Sequence, residues 1–546
     1  MDELQATGFS GNDVSVARLP MPRAAVPESS RPPSPAVAFA SILFPTPFST
    51  PAGLRTDPPY FRDLNLDQLL DGILAGREEY DLRPIFLAPL REPATVVYRQ
   101  EIVRDLDDAA NAAPIRAFAV AMRAVRRCVE TAAKMPYLEQ RWAWQLEAAE
   151  GYCAAVTTLA AGLRAIRPRA RGIVAFRDHV LQYLESTGFQ ELEAAARRVC
   201  RELDAIRYCF LIRGSTIHVR HCEGEPDYAA EVAATFAKFS SYAAHAPKTR
   251  LTEFAEMNHI EAAILGRVRR LFPAPFAALR DFCECYATLG DERILTFDRE
   301  VQFYLAYLDY IAPLRRAGLG FATPQLSVES KSVRVVDTFD LALAAQLLRE
   351  GRQVVANDVV LDGNERILVV TGPNQGGKTT FARLFGQLHY LARLGLPVPG
   401  REAALFLCDQ IFTHFERGEN IHDLRGKLED DLKRIAEILR EATADSVIVL
   451  NEIFTSTSLQ DAVALSRMVL ARIIALDALG VCVTFIDELA TLGPATVSMV
   501  STVAADDPGL RTYRVLRRPA DGLAYAMTVV ERYRLTPDWL QERIVS

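Results

Sequence analysis

The strongest chemistry in this sequence sits at the start of its last third. Gly372-Pro-Asn-Gln-Gly-Gly-Lys378-Thr379 has the spacing GxxxxGK[ST]. An apolar run, Ile367-Leu-Val-Val370, precedes it and a helical pattern follows, so the motif is predicted to turn a strand into a helix. Glycines in such a turn let successive backbone N–H groups wrap a phosphate, and the helix N-terminus adds a favourable dipole. In that arrangement Lys378 reaches the β and γ phosphates, and the Thr379 hydroxyl ligates Mg2+. The expected phosphate-binding set is Gly372, Pro373, Asn374, Gln375, Gly376, Gly377, Lys378, Thr379 and Thr380. A glycine-rich turn with an incidental lysine is the competing reading, and the flanking strand and helix disfavour it.

A second motif lies downstream at a suitable distance. Ser446-Val-Ile-Val-Leu-Asn451-Glu452 reads as an apolar strand ending in a polar pair. In P-loop nucleotide hydrolases the first of these positions is usually an aspartate that holds the magnesium shell, and a following glutamate polarises the attacking water. Asn451 keeps an oxygen ligand and loses a negative charge. Glu452 is the candidate catalytic base, Thr379 and Asn451 are the candidate metal residues, and ATP with Mg2+ is the expected ligand.

These residues resemble the MutS family of DNA mismatch-repair ATPases. Thr371-Gly-Pro-Asn-Gln-Gly-Gly-Lys-Thr379 is similar to the family's TGPNMGGKST, and Asn451-Glu452-Ile-Phe-Thr-Ser-Thr457-Ser458-Leu-Gln-Asp461 to its DEIGRGTSTYD. Val355-Ala-Asn357-Asp358, Leu396-Pro-Val-Pro399, Asp409-Gln-Ile-Phe-Thr413 and Ala520-Asp-Gly522-Leu-Ala-Tyr-Ala526 with Leu535-Thr-Pro537 match further motifs in the same order. Leu87-Ala-Pro-Leu90 and Tyr98-Arg-Gln100-Glu-Ile-Val103 extend a fainter likeness upstream. The resemblance implies an ABC-type ATPase domain and a homodimer in which Thr457, Ser458 and Asp461 face the partner's site. It also places Val354 and Asn357 at the nucleotide, Val354 standing where the family stacks an aromatic on adenine. Other departures are Gly426 at the signature serine and Phe485 or Asp487 in place of the switch histidine. The family's mismatch-reading N-terminal domain is longer than the ~60 residues before the helical part, so a short form lacking it is expected; Gly188-Phe-Gln-Glu191 imitates its wedge by letters only.

The elements that must position this chemistry follow from composition and pattern. A chain of 546 residues exceeds one compact core and suggests two to four domains. Half of it is hydrophobic, 24% is charged and mean hydropathy is near zero, which excludes wholesale disorder. A net charge of −7 means that any nucleic-acid contact uses a local patch. Nine cysteines without a CxxC pair, Cys283 and Cys285 forming only CxC, point to core thiols in a reducing compartment rather than zinc. There is no apolar run of bilayer length, and Met1-Asp2-Glu3 is no secretory start. The expectation is a cytoplasmic, nucleoid-associated protein that does not contact membranes.

Three regions are expected. Residues 1–60, rich in proline and serine, read as mostly disordered, with Ile42-Leu43-Phe44 as a docking segment. Residues 61–320 read as an all-helical core and lever domain, in which Phe297, Val301, Tyr304, Leu308 and Ile311 form one apolar stripe. It is interrupted by a small β-hairpin around Gly214-Ser215, with His218 and Arg220 on one face and Ile217 and Val219 on the other. Residues 321–546 alternate buried strands with helices, an α/β domain that closes with dimerisation helices. Arg213, Arg220, Arg267, Arg269 and Arg270 are candidate phosphate contacts. Two functions fit: an ATP-dependent protein that binds double-stranded or branched DNA and hands it to a downstream repair protein, or an ATP-switched interaction protein that binds no DNA.

Overall fold

The computed structural model describes residues 39–46, 56–214, 216–224, 257–416, 426–504 and 510–520. By its contacts the chain divides into Met1–Ala38 and a unit running from Phe39 to Ser546, to which all described residues belong. The disorder expected for 1–38 and 47–55, and the closing segment through Leu535-Thr-Pro537 with its dimerisation helices, lie outside the described residues. No helix among the described residues is long and apolar enough to cross a membrane.

The first half is helical. Two long helices, Ala109–Lys134 and Leu138–Ala165, pack along each other, and Arg171–Glu185, Thr187–Asp204 and Pro93–Asp107 gather round them. The helix Glu292–Arg316 runs through the centre, with its stripe Phe297, Val301, Tyr304, Leu308 and Ile311 all buried. Phe176 stacks on Phe297 with ring centroids 3.5 Å apart. The helical run is interrupted by a two-stranded antiparallel hairpin, β1 (Tyr208–Arg213) and β2 (Thr216–His221). The helix His259–Leu271 packs beside β2.

Residues 39–46 contain the apolar Ile42-Leu43-Phe44 expected as a docking segment. They form a strap whose Phe39, Ile42 and Leu43 are buried. A strap without secondary structure leaves backbone polar groups to satisfy, and buried side chains of the helical part do so. The Glu300 carboxylate accepts from the Ser41 hydroxyl and the Ile42 amide, both at 2.8 Å. Tyr98 donates to the Ser41 carbonyl and Tyr304 to that of Ile42. Arg99, wholly buried between the rings of Phe44 and Phe303, donates to Leu43 O.

The second half is α/β. Its main sheet has the order β10 (Ile411–Phe415), β11 (Val447–Asn451), β12 (Leu479–Val483), β7 (Ile367–Thr371), β13 (Thr496–Val503), β14 (Arg511–Arg517). All neighbours are parallel except β13 and β14. Strands β7, β11 and β12 are buried at every residue, as expected of continuous β-branched runs covered on both faces. A second sheet pairs β4 (Gln325–Ser327), β9 (Glu402–Phe406), β5 (Val333–Thr338) and β6 (Asn357–Leu361), and β3 (Phe321–Ala322) pairs with β8 (Val398–Pro399).

One helix joins the halves. Lys378–Arg393 is buried at every residue from Leu384 onward. Gly386 lets Leu64 lie against it, since a Cβ there would fall 2.6 Å from the leucine methyls. Gln387 donates to Leu64 O and Asp340 and accepts from Leu341 N. Tyr390 donates to Phe86 O, and Arg393 to Leu90 O.

Replacing Glu300 by alanine leaves two buried donors of the strap without an acceptor, a loss of about 2–4 kcal/mol. Urea unfolding followed by circular dichroism should register it, with Glu300→Gln, which keeps an oxygen acceptor, losing less.

Candidate active site

The register of the main sheet brings the motifs together. Asn451 lies opposite Val483, Val483 opposite Val370, and Val370 opposite Met499. The carboxyl ends of β11, β12 and β7 are therefore level. They deliver Asn451-Glu452, Thr484-Phe485 and Thr371-Gly372 to one rim, the usual ligand edge of an open parallel sheet.

The loop after β7 takes a conformation that only its sequence permits. Gly372 and Gly377 have φ of 115° and 93°, and Gly377 precedes the first residue of the helix beginning at Lys378. A Cβ on Gly372 would meet Ser501 O at 2.7 Å, and one on Gly376 would meet Ser501 Oγ at 2.2 Å. Buried Ser501 donates to the Gly376 carbonyl at 2.7 Å, so β13 holds the loop from beneath. The Arg511 guanidinium donates to Asn374 O from β14.

A cavity of about 350 Å3 opens above this loop. Asn374, Gln375, Gly376, Gly377, Lys378, Thr379 and Thr380 line one side; Val354, Asn357, Glu452 and Tyr513 also border it. Gly372 and Pro373 form the root of the loop behind the wall. The Lys378 ammonium donates to Gly372 O at 2.8 Å and Pro373 O at 3.3 Å, with Asn374 Oδ1 at 3.4 Å. The Phe485 ring lies 4.3 Å from it. Phe485, not Asp487, is thus the residue after β12 that reaches the lysine. Burial pulls the Lys378 pKa down, with nearby Glu452 opposing.

Asn451 is buried, and its Oδ1 has no hydrogen-bond partner among the described residues. An orphaned buried oxygen at the end of β11, with the Thr379 hydroxyl on the cavity wall, suits an oxygen-seeking cation such as Mg2+. Glu452 has a left-handed backbone, φ 54°, fixed by its N–H to Val483 O at 2.9 Å. It is half-buried. Burial raises its carboxyl pKa above the ordinary glutamate value; Lys378 opposes this and Glu416 adds to it.

The remaining expected residues are placed as follows. Asn357 borders the cavity, but its amide is engaged with β14, donating to Tyr513 O and accepting from Val515 N. Ser458 caps the helix Leu459–Leu476 by accepting from Asp461 N, and Thr457 and Ser458 both donate to the Asp461 carboxylate. Gly426 starts the helix Lys427–Glu441; Arg425 lies outside the described residues. Arg213 and Arg220 share one face of the hairpin with His218, far in sequence from the cavity, and Arg267 and Arg270 are exposed on the helix beside β2. Arg269 on that helix is paired with Glu139.

Sequence reasoning missed Ser501, Arg511 and Tyr513. Ser501 stands in a strand that also carries Thr496, Ser498 and Thr502, so its residue type gave no distinct signal.

Comparison with known proteins gives a match to MutS domain V over residues 368–533. The chain is 32% identical over 201 residues to endonuclease MutS2 of Thermomicrobium roseum, covering 36% of this chain and 25% of that protein. It is 31% identical over 232 residues to the DNA mismatch repair protein MutS of Brevibacillus brevis, covering 42% and 26%. To the mouse DNA mismatch repair protein Msh3 it is 31% identical over 165 residues, covering 30% and 15%. The matched stretches thus span about a quarter or less of these relatives' own lengths.

The Ser501 contact yields a two-step test. Gly376→Ala should abolish Mg-ATP binding measured by calorimetry, because the new methyl collides with Ser501 Oγ. Adding Ser501→Ala removes the colliding oxygen and should recover part of the affinity.

Proposed function

We propose, from the match of residues 368–533 to MutS domain V, that the chain is a MutS-family, ATP-hydrolysing, DNA-binding protein of mismatch-repair type that acts on mispaired or branched duplexes. The observation that carries this reading is the convergence on one cavity of the Gly372–Thr379 loop with Glu452 beside it and the unpartnered Asn451 oxygen just behind.

The roles follow from position. The loop amides and Lys378 hold the triphosphate, which requires the ammonium to leave the loop carbonyls for the ligand. Thr379 and Asn451 would hold magnesium, which would offset the negative charge of the phosphates. Glu452 orients and deprotonates the attacking water. Its left-handed backbone directs the carboxylate to the rim while Asn451, one residue earlier, stays in the strand. The exposed Thr457–Asp461 segment faces the second subunit of a homodimer. The domain order follows the same reading: a helical core and lever over 61–320 and an ATPase domain over 321–546. The exposed hairpin arginines, Arg213 and Arg220, with Arg267 and Arg270, contact DNA phosphates. A downstream repair protein then acts on the bound DNA.

Glu452→Gln should keep ATP binding and lower hydrolysis by roughly 10²-fold or more. In the unaltered protein the rate should fall on the acid side with a midpoint above the ordinary glutamate value of 4.5, because the base must be ionised and its pKa is raised. Wild-type turnover in the Glu452→Gln variant removes this assignment.

Gel retardation of homoduplex, mismatched and four-way-junction DNA, with and without ATP, tests the other half. Log affinity should fall linearly with log salt, and the slope should lessen when Arg213 and Arg220 become alanine. ATP turnover without any retarded DNA would instead favour an ATP-switched interaction protein.

A further inference from the structure

The chain carries a net charge of −7, yet between Glu150 and Asp178 it has five arginines, no lysine and no acid. Four of them, Arg164, Arg167, Arg169 and Arg171, crowd the turn between the helices Leu138–Ala165 and Arg171–Glu185, and all four are exposed. Arg171 is paired, its Nε and Nη2 each lying 3.0 Å from an oxygen of Glu101. The side chains of Arg164, Arg167 and Arg169 have no ion pair or hydrogen bond among the described residues. Arg104 is also exposed and stands three residues after Glu101, on the same face of the helix Pro93–Asp107. Like charges gathered at one place repel, so an incoming anion relieves a cost that the fold already bears.

The turn that displays these arginines is held from inside. Asp105, buried on the helix Pro93–Asp107, accepts from the backbone N–H groups of Arg169 and Ala170 with one oxygen, both at 2.7 Å. Ala170 itself is buried. Pro168 fixes its own φ and drives Arg167 into an extended conformation. The Cα atoms of Arg167 and Arg169 are therefore about 6–7 Å apart. That is comparable to the step between neighbouring phosphates along a nucleic-acid strand.

The surroundings select the partner. The planar fork of arginine binds phosphate oxygens in pairs, which an ammonium does not. A protein partner would need a large apolar anchor beside the charges, and no large hydrophobic residue between Leu138 and Tyr208 is exposed. Stable attachment to an anionic bilayer asks for the same. A nucleic-acid backbone asks only for phosphate contacts. The turn is also separate from the hairpin arginines. Glu139, at the start of Leu138–Ala165, pairs with Arg269 of the helix beside β2. The hairpin and the arginine turn thus lie at opposite ends of that helix, 28 residues and about 42 Å apart.

We infer that the turn at residues 164–169 is a second nucleic-acid contact, in which Arg164, Arg167 and Arg169 bind the phosphates of a DNA duplex. It rests on the DNA-binding reading proposed above and adds an anchor which that reading does not include. The chain then grips DNA at two places further apart than one duplex turn of about 34–36 Å. Contacts to phosphates carry no base information, so this anchor supplies affinity and orientation without sequence preference.

Combining Arg164→Ala, Arg167→Ala and Arg169→Ala is informative, because these side chains bond to nothing else among the described residues. Fluorescence anisotropy with a labelled homoduplex several helical turns long, measured across salt, reads the contacts. The triple variant should bind more weakly, and its slope of log affinity against log salt should lessen by about 2.7, three contacts at about 0.9 each. Lysine at the same three positions should keep most of the slope, since the charges remain. Adding Arg213→Ala and Arg220→Ala should lower the slope further, the losses of distant sites being additive. ATP turnover without DNA should be unchanged in the triple variant. An unchanged slope there overturns the contact, and if Arg213→Ala with Arg220→Ala still lowers it, the DNA reading stands. Lost binding to phosphatidylglycerol vesicles or polyglutamate, with DNA affinity intact, overturns it in favour of another partner. If the unaltered protein binds no DNA, the DNA reading fails and this contact falls with it.

Discussion

The whole unit depends on burying one helix on all sides. Lys378–Arg393 starts at the phosphate loop and runs between the main sheet and the helical half, and water has no access to it beyond its first two turns. An entirely buried helix is normally apolar all round. This one carries Gln387, His389 and Arg393, and the fold supplies carbonyls for their donors. His389 is held neutral, its pKa pushed down to about 4 by burial. Because both halves of the structure close over the same helix, the geometry of the loop at its start is set by packing tens of residues away.

Around that loop the backbone is held in conformations that side chains ordinarily avoid. Gln375, Glu452, Phe454 and Tyr513 account for four of the eight non-glycine residues with positive φ among the described ones. Each sits on the loop, just after β11, or on the bulged edge strand. Such strain persists only where surrounding bonds over-determine it, and here they come from β12 to Glu452 and from Asn357 to Tyr513. The electrostatics are softer than in a site with paired acids. With asparagine at 451, Glu452 is the carboxylate that opposes the burial of Lys378, while Asp340, the other acid on the described wall, is engaged with Gln387, so the pair is balanced between attraction and the penalty of burial.

Local patterns were legible in the sequence and long-range contacts were not. The glycine–lysine loop, the Asn451-Glu452 strand end and the hairpin about Gly214 each depend on neighbours within a few residues, so spacing alone exposes them. Ser501 acts on Gly376 across 125 positions, and Asn357 on Val515 across 158; no periodicity carries that information. The strap was legible as an apolar docking run at Ile42-Leu43-Phe44, but its partners were not, for a related reason. Glu300, Arg99 and Tyr304, which bind its backbone, lie far along the chain inside the helical half. Buried polar residues within an apolar stripe were the overlooked sign that a foreign segment belongs there.

The lysine of the phosphate loop is not a bare charge. Its ammonium is already solvated by loop oxygens and faces an aromatic ring, so any incoming anion competes with an internal shell instead of with bulk water. A single phosphate, as on a nucleic-acid backbone or free in solution, offers little more than the oxygens it must displace. A chain of phosphates that also engages the loop amides offers several contacts at once. The internal shell around Lys378 therefore favours ligands that bring several phosphates at once over ligands that bring one, without any steric gate.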